Sequence, residues 1–151
     1  MSESRVVATP DVLVPVPDGW VVVDDAPEAV VLAWPERPDD SFRPNVVITR
    51  RPSDEPVPAA SADVVAAALG LQRDAQVLAV EPLHDSAVPG RLVTYGYDSD
   101  SAWVCVQQWV FATGATHVHV TASCSIDEML LVHPHFSELV RGLDFSPGGA
   151  P

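Results

Sequence analysis

The amino-acid sequence predicts an α+β domain, an antiparallel β-sheet flanked by helices. Three features carry that expectation. Short valine-rich segments fill the first 58 residues, separated by ten of the chain's fifteen prolines. A single helical stripe follows them, and four longer apolar segments then lead into a closing amphipathic stretch. The size suits one domain: 151 residues, 47% hydrophobic and 19% charged, with 8 glycines.

Strands are expected at about 12–16, 20–23, 30–34 and 45–50, each bounded by Pro, Asp or Gly. The loop 52–58 ends that run. Ser61 then offers an N-cap, Asp63 suits the positive end of a helix, and Val64, Val65, Ala68, Leu69 and Leu71 form an apolar stripe, which predicts a helix over 61–72. Segments 76–82, 91–97, 102–112 and 116–124 read as a four-strand antiparallel meander. Pro134 suits a first helical position, with Phe136, Leu139, Val140 and Leu143 on one side and Gly142 near the end, so a second helix closes the chain. The single domain spans 12–145, between an N-terminal extension (1–11) and a tail (146–151).

The last hairpin can be read residue by residue. An even loop around Gly114 and Ala115 places Trp103, Cys105, Gln107, Trp109 and Phe111 on a core face with Val118, Val120, Ala122 and Cys124. The opposite face carries Val104, Val106, Gln108, Val110 and Ala112 beside His117, His119, Thr121 and Ser123. A three-residue loop with a bulge would mix apolar and polar side chains on both faces, so the even loop is preferred.

Eight basic residues, all arginines, stand against 21 acids, a net charge of −13. Residues 1–58 (11 acids, 5 arginines) and 59–151 (10 acids, 3 arginines) share the excess, so the surface is acidic throughout. A nucleic-acid backbone would be repelled, and a basic or amphipathic polypeptide favoured. No run of about 20 apolar residues could span a membrane. The start of the sequence lacks a basic patch followed by an apolar core, so a cytoplasmic location is expected. Cys105 and Cys124 form no CxxC pair and are expected to be reduced.

Several short phrases resemble a known superfamily. They are Asp18-Gly-Trp20, Pro44-Asn-Val-Val-Ile-Thr-Arg50, Val88-Pro-Gly-Arg-Leu-Val93, Val106-Gln-Gln-Trp109, Val118-His-Val-Thr-Ala122 and the run from Phe136 to Phe145. Together they resemble the PsbP-like fold superfamily, and within it the DcrB-type and LpqN/LpqT lipoprotein families. The resemblance implies an α/β/α sandwich over about 12–145 and a binding, adaptor or chaperone-like role. It implies no active-site residue.

Catalytic and cofactor signatures are missing. GxSxG, GxGxxG and GxxxxGK[ST] do not occur, and both cysteines fall mid-strand. His117-x-His119 would project from one side of a strand, with His133 and His135 downstream, but the sequence does not show whether the four converge and an alternating strand explains the first pair equally well, so neither metal nor other cofactor is expected. Asp98-Ser-Asp100-Ser starts like a calcium loop, but Trp103 and Trp109 occupy the positions that require glycine and an acid, which leaves a polar hairpin turn. Asp24-Asp25 and Asp39-Asp40 read as solvated loop acids. The expected function is therefore non-catalytic binding, with Val104, Val106, Gln108, Val110, His117, His119 and Thr121 as the candidate surface, the equal alternative being that a helix covers this face; Trp20, Trp34 and Phe42 offer a second surface. A carrier with a small-molecule or lipid cavity between sheet and helix is the first alternative, and an enzyme with no recognisable motif the second.

Overall fold

The computed structural model describes residues 5–26, 28–37, 41–72, 74–100 and 102–145. Two central strands organise it. The strands β8 (Ala102–Ala112) and β9 (Thr116–Ser125) pair antiparallel with Trp109 opposite Val120 and Cys105 opposite Cys124, the even register. Gly114 takes φ +98° between Thr113 and Ala115, a conformation open to glycine and the one a tight hairpin needs at its first loop position.

The meander continues through β7 (Gly90–Ser99) to β6 (Gln76–Pro82), and Ser99 pairs with Ala102 across the polar turn. On the other flank β9 pairs with β5 (Asn45–Pro52), which leads through β4 (Ala29–Ala33) to β3 (Val21–Ala26). The result is a seven-stranded antiparallel sheet in the order β3-β4-β5-β9-β8-β7-β6. A separate two-stranded sheet joins β1 (Arg5–Ala8) to β2 (Leu13–Val16). Part of the expected N-terminal extension is thus a paired strand.

Helices cover both faces. The helix α1 (Val57–Leu71) sets Ala60, Val64 and Ala68 on Val93, Tyr95, Val104, Val106 and Val110. Its small residues let it approach closely. On the opposite face α2 (Met129–Arg141), β2 and the residue before it bury Val132, Phe136, Leu139, Val14 and Val12 against Trp109, Phe111, Val118 and Val120. Alternation along β8 and β9 therefore feeds two separate cores.

Both helices begin earlier than the sequence suggests. Pro56 is the N-cap of α1 and a proline occupies its first turn, where a missing N–H costs nothing. Ser61 lies inside the helix, and its hydroxyl donates to the Pro58 carbonyl (2.9 Å) rather than capping. Pro134 is interior to α2, after a 3₁₀ turn over Ile126–Glu128. It removes the bond that would reach the Leu130 carbonyl, on a face where both residues are exposed to water.

Arg37 ties the proline-rich half to Glu128, just before α2, in a two-pronged contact (2.6 and 2.5 Å), and within that half Arg50 pairs with Asp11. Truncating Trp109, which is 5% exposed, should remove its contacts from the core beneath α2. Urea unfolding of W109A is expected to show a loss of about 3 to 5 kcal/mol.

Candidate functional site

The sheet face expected to bind a partner is roofed by α1. Val104, Val106 and Val110 are fully buried, His117 is 1% and His119 3% exposed, and Gln108 and Thr121 are half-buried. The seven residues do share one face, but it is core and not surface. An apolar helix needs a cover for its own stripe, and this face provides it.

The polar side chains on that face satisfy one another. Arg51, from β5, lies 3.3 Å from His119 Nε2; Gln108 lies 3.2 Å from His119 Nδ1 and 3.4 Å from the Tyr95 hydroxyl. A neutral imidazole accepts at one nitrogen only, and a guanidinium can only donate, so Nε2 accepts and Nδ1 carries the proton. In the structure Gln108 Nε2 lies beside Nδ1 and Gln108 Oε1 accepts from the Tyr95 hydroxyl; turning the amide over lets its oxygen meet Nδ1–H and its NH₂ meet Tyr95. Burial, Arg51 and His117 together hold the His119 pKa down at about 4. His117 sits 6.4 Å away, ring to ring, and its Nε2–H donates to the Glu55 carbonyl (2.9 Å). A cavity of about 420 Å³ opens beside this network between Arg51, Asp63, Gln72 and Gln108.

The other two histidines of the metal expectation lie on α2, across the sheet. His135 packs edge-on to Trp34 (5.1 Å) and His133 lies 5.9 Å from Phe136. Among the described residues no cluster of three or more His, Cys, Asp or Glu could hold a metal ion. Asp24 and Asp25 lie on β3, contrary to the loop expected, and point to opposite faces; Asp24 accepts from the Ala26 N–H. The pair Asp39-Asp40 lies outside the described residues.

The two thiols face each other across β8 and β9. Burial raises both, and with Cys105 and Glu128 nearby Cys124 is pushed up to about 12. Protonated thiols are poor nucleophiles. Neither is placed for catalysis. The aromatic residues of the second candidate surface are also structural: Trp20 is buried against Trp34 (5.5 Å) and Phe136 (6.2 Å), and Phe42 packs against the α1 core.

The sequence reading does not locate two features, although its carrier alternative calls for a cavity between sheet and helix. One is a cavity of about 490 Å³ on the α2 side, bounded by the β6–β7 loop, β8 and the end of α2. Gln107 lies in its wall with a buried Oε1 that accepts no hydrogen bond from the protein. A lone glutamine between Cys105 and Trp109 on an apolar face is the signal that marks it. The other is an exposed apolar turn where the chain enters α2. Ile126, Leu130 and Leu131 are 48%, 89% and 60% exposed. No periodicity flags them, because the helix was expected to begin beyond them.

Neither a family model nor a curated protein matches this chain. Solved structures do. LpqN of Mycobacterium tuberculosis, involved in cell envelope biogenesis, matches with a TM-score of 0.67 at 15% identity, over 93% of this chain and 89% of its own. The cyanobacterial PsbP of Synechocystis matches at 0.62 with 17% identity, over 89% and 86%. The fold is PsbP-like. The Ran-binding protein Mog1p of Saccharomyces cerevisiae shares it at a TM-score of 0.61 and 8% identity, over 96% of each chain. The PsbP-like sandwich expected from the sequence phrases is therefore present, shared with structures only 8% to 17% identical in sequence.

The buried His119 has a pH signature. Its folded pKa lies below the unfolded value of about 6.5, so the stability that depends on a neutral ring is present above pH 6.5 and is lost as pH falls toward 4. Between pH 7 and pH 5 the native protein should lose about 2 kcal/mol more than H119Q, read by urea unfolding at each pH.

Proposed function

We propose that this chain is a non-catalytic binding module for a basic or amphipathic polypeptide, with its contact surface at the turn into α2. The observation that carries this reading is the exposed trio Ile126, Leu130 and Leu131, beside Asp127; the neighbouring Glu128 is taken up by Arg37. Large apolar side chains in water, edged by an acid, suit a partner that offers both apolar and cationic groups. The net charge of −13 steers such a partner inward and disfavours nucleic acid. One further point supports it: Mog1p, a protein of the same fold, is a Ran-binding protein.

Affinity capture from the native host, read by mass spectrometry, tests it. Polypeptides retained by the natural sequence should be lost from the double variant L130D/L131D, whose thermal midpoint should not fall because both side chains already face solvent. Raising salt should slow association while only partly weakening the complex, since apolar contact is not screened. Retention of the same polypeptides by the variant would overturn the assignment of this surface.

A further inference from the structure

We propose that the 490 Å³ cavity at the far end of α2 binds a small, uncharged, largely apolar molecule carrying one hydroxyl or N–H group, which donates to Gln107 Oε1. This goes beyond the polypeptide reading and does not depend on it, because the exposed leucines lie at the opposite end of the helix.

The size is that of a ligand pocket, which typically runs from about 300 to 1,000 Å³. Its walls set the chemistry. Leu83, Leu92, Trp109, Phe111, Val140 and Phe145 supply an apolar lining, and Phe111 and Phe145 lie 4.8 Å apart, ring to ring. Aromatic rings of this kind offer flat faces against which a ring or chain can pack. Within that lining Gln107 provides a buried amide oxygen that the protein leaves without a donor. A buried acceptor without a donor carries a desolvation cost that a ligand O–H or N–H would relieve. An acceptor cannot reward an ether or a ketone, so the ligand must donate.

The charged groups mark the entrance. His84, Asp85 and Arg141 line the same cavity but are all exposed, and Arg141 Nε is turned to the Ser137 carbonyl (3.4 Å). Charges of both signs in water select for neither sign, whereas the interior would penalise an ion. The occupant is uncharged for that reason. Gln107 is held in place by the sheet: its backbone pairs with Thr94 on one side and Ala122 on the other. A recognition group on a central strand is rigid, which limits the entropy lost on binding.

Two probes that differ only in the donor test this: 1-naphthol and 1-methoxynaphthalene, titrated calorimetrically into the full chain. The hydroxyl compound should bind about tenfold more tightly, the difference that one neutral hydrogen bond makes. Q107M should bring its affinity down to that of the ether. V140W, which fills the cavity, should abolish both. The natural sequence also gives a readout that needs no variant: 1-naphthol should shift the Gln107 side-chain amide and Trp109 indole resonances and leave those of Arg51 and His119 unmoved. Equal affinities, shifts confined to other regions, or no binding by either probe would overturn the proposal. So would loss of a captured polypeptide on V140W without any binding of 1-naphthol, which would make the cavity part of a protein interface.

Discussion

The pairing of β8 with β9 is the constraint on which the rest of the molecule depends. Both strands are central and buried on both faces, so every side chain must go to one core or the other. The two-residue loop at Gly114 and Ala115 decides which. With Trp109 opposite Val120 and Phe111 opposite Val118, the bulky aromatics meet α2 and the β1–β2 hairpin. Val104, Val106 and Val110 then turn to α1, together with His117 and His119. A slip of one residue would turn one strand over and set Trp109 on the same face as His119, with either tryptophan under an alanine-rich helix built for close approach or histidines among the rings of Trp20 and Phe136.

Local chemistry in the sequence made much of this legible. Proline and glycine punctuation located most of the strands, and the even loop gave the correct contents of each hairpin face. What the sequence left undecided was cover, since a helix over the mixed face and an open face read equally well. Gln108, His117 and His119 look like the polar part of a wet surface because their partners are far away in the chain. Arg51 reaches His119 from β5, and the Glu55 carbonyl reaches His117 from the loop before α1. Those pairings follow from β5 lying beside β9, a neighbour relation that no hydrophobic period encodes. Helix starts were misplaced for a related reason. Pro58 and Pro134 punctuate well, but one sits in a first turn and the other is tolerated on an exposed face, so proline alone does not locate the N-cap.

A rigid sandwich with both faces covered leaves function to what lies outside the two cores. The proposed polypeptide surface and the proposed ligand cavity both lie there, at the two ends of α2. One end presents Leu130 and Leu131 to water; the other closes over a cavity with an unpaired amide oxygen. Proteins as different as LpqN, a cyanobacterial PsbP and Mog1p share the architecture at 8% to 17% identity, so the fold constrains the scaffold and not the ligand. The polar network beneath α1 belongs to the scaffold. Its Arg51–His119–Gln108–Tyr95 chain fills hydrogen-bonding needs that a purely apolar face would not have, and so helps to fix one seating of the helix.

The register itself can be measured directly. Interstrand nuclear Overhauser effects in the isotopically labelled protein report which backbone protons of β8 face which of β9. Contacts linking Trp109 with Val120 and Gln108 with Thr121 are the predicted result. Contacts that place Trp109 opposite His119 or Thr121 would mean an odd loop, with the two cores and both ends of α2 assigned to the wrong faces of the sheet.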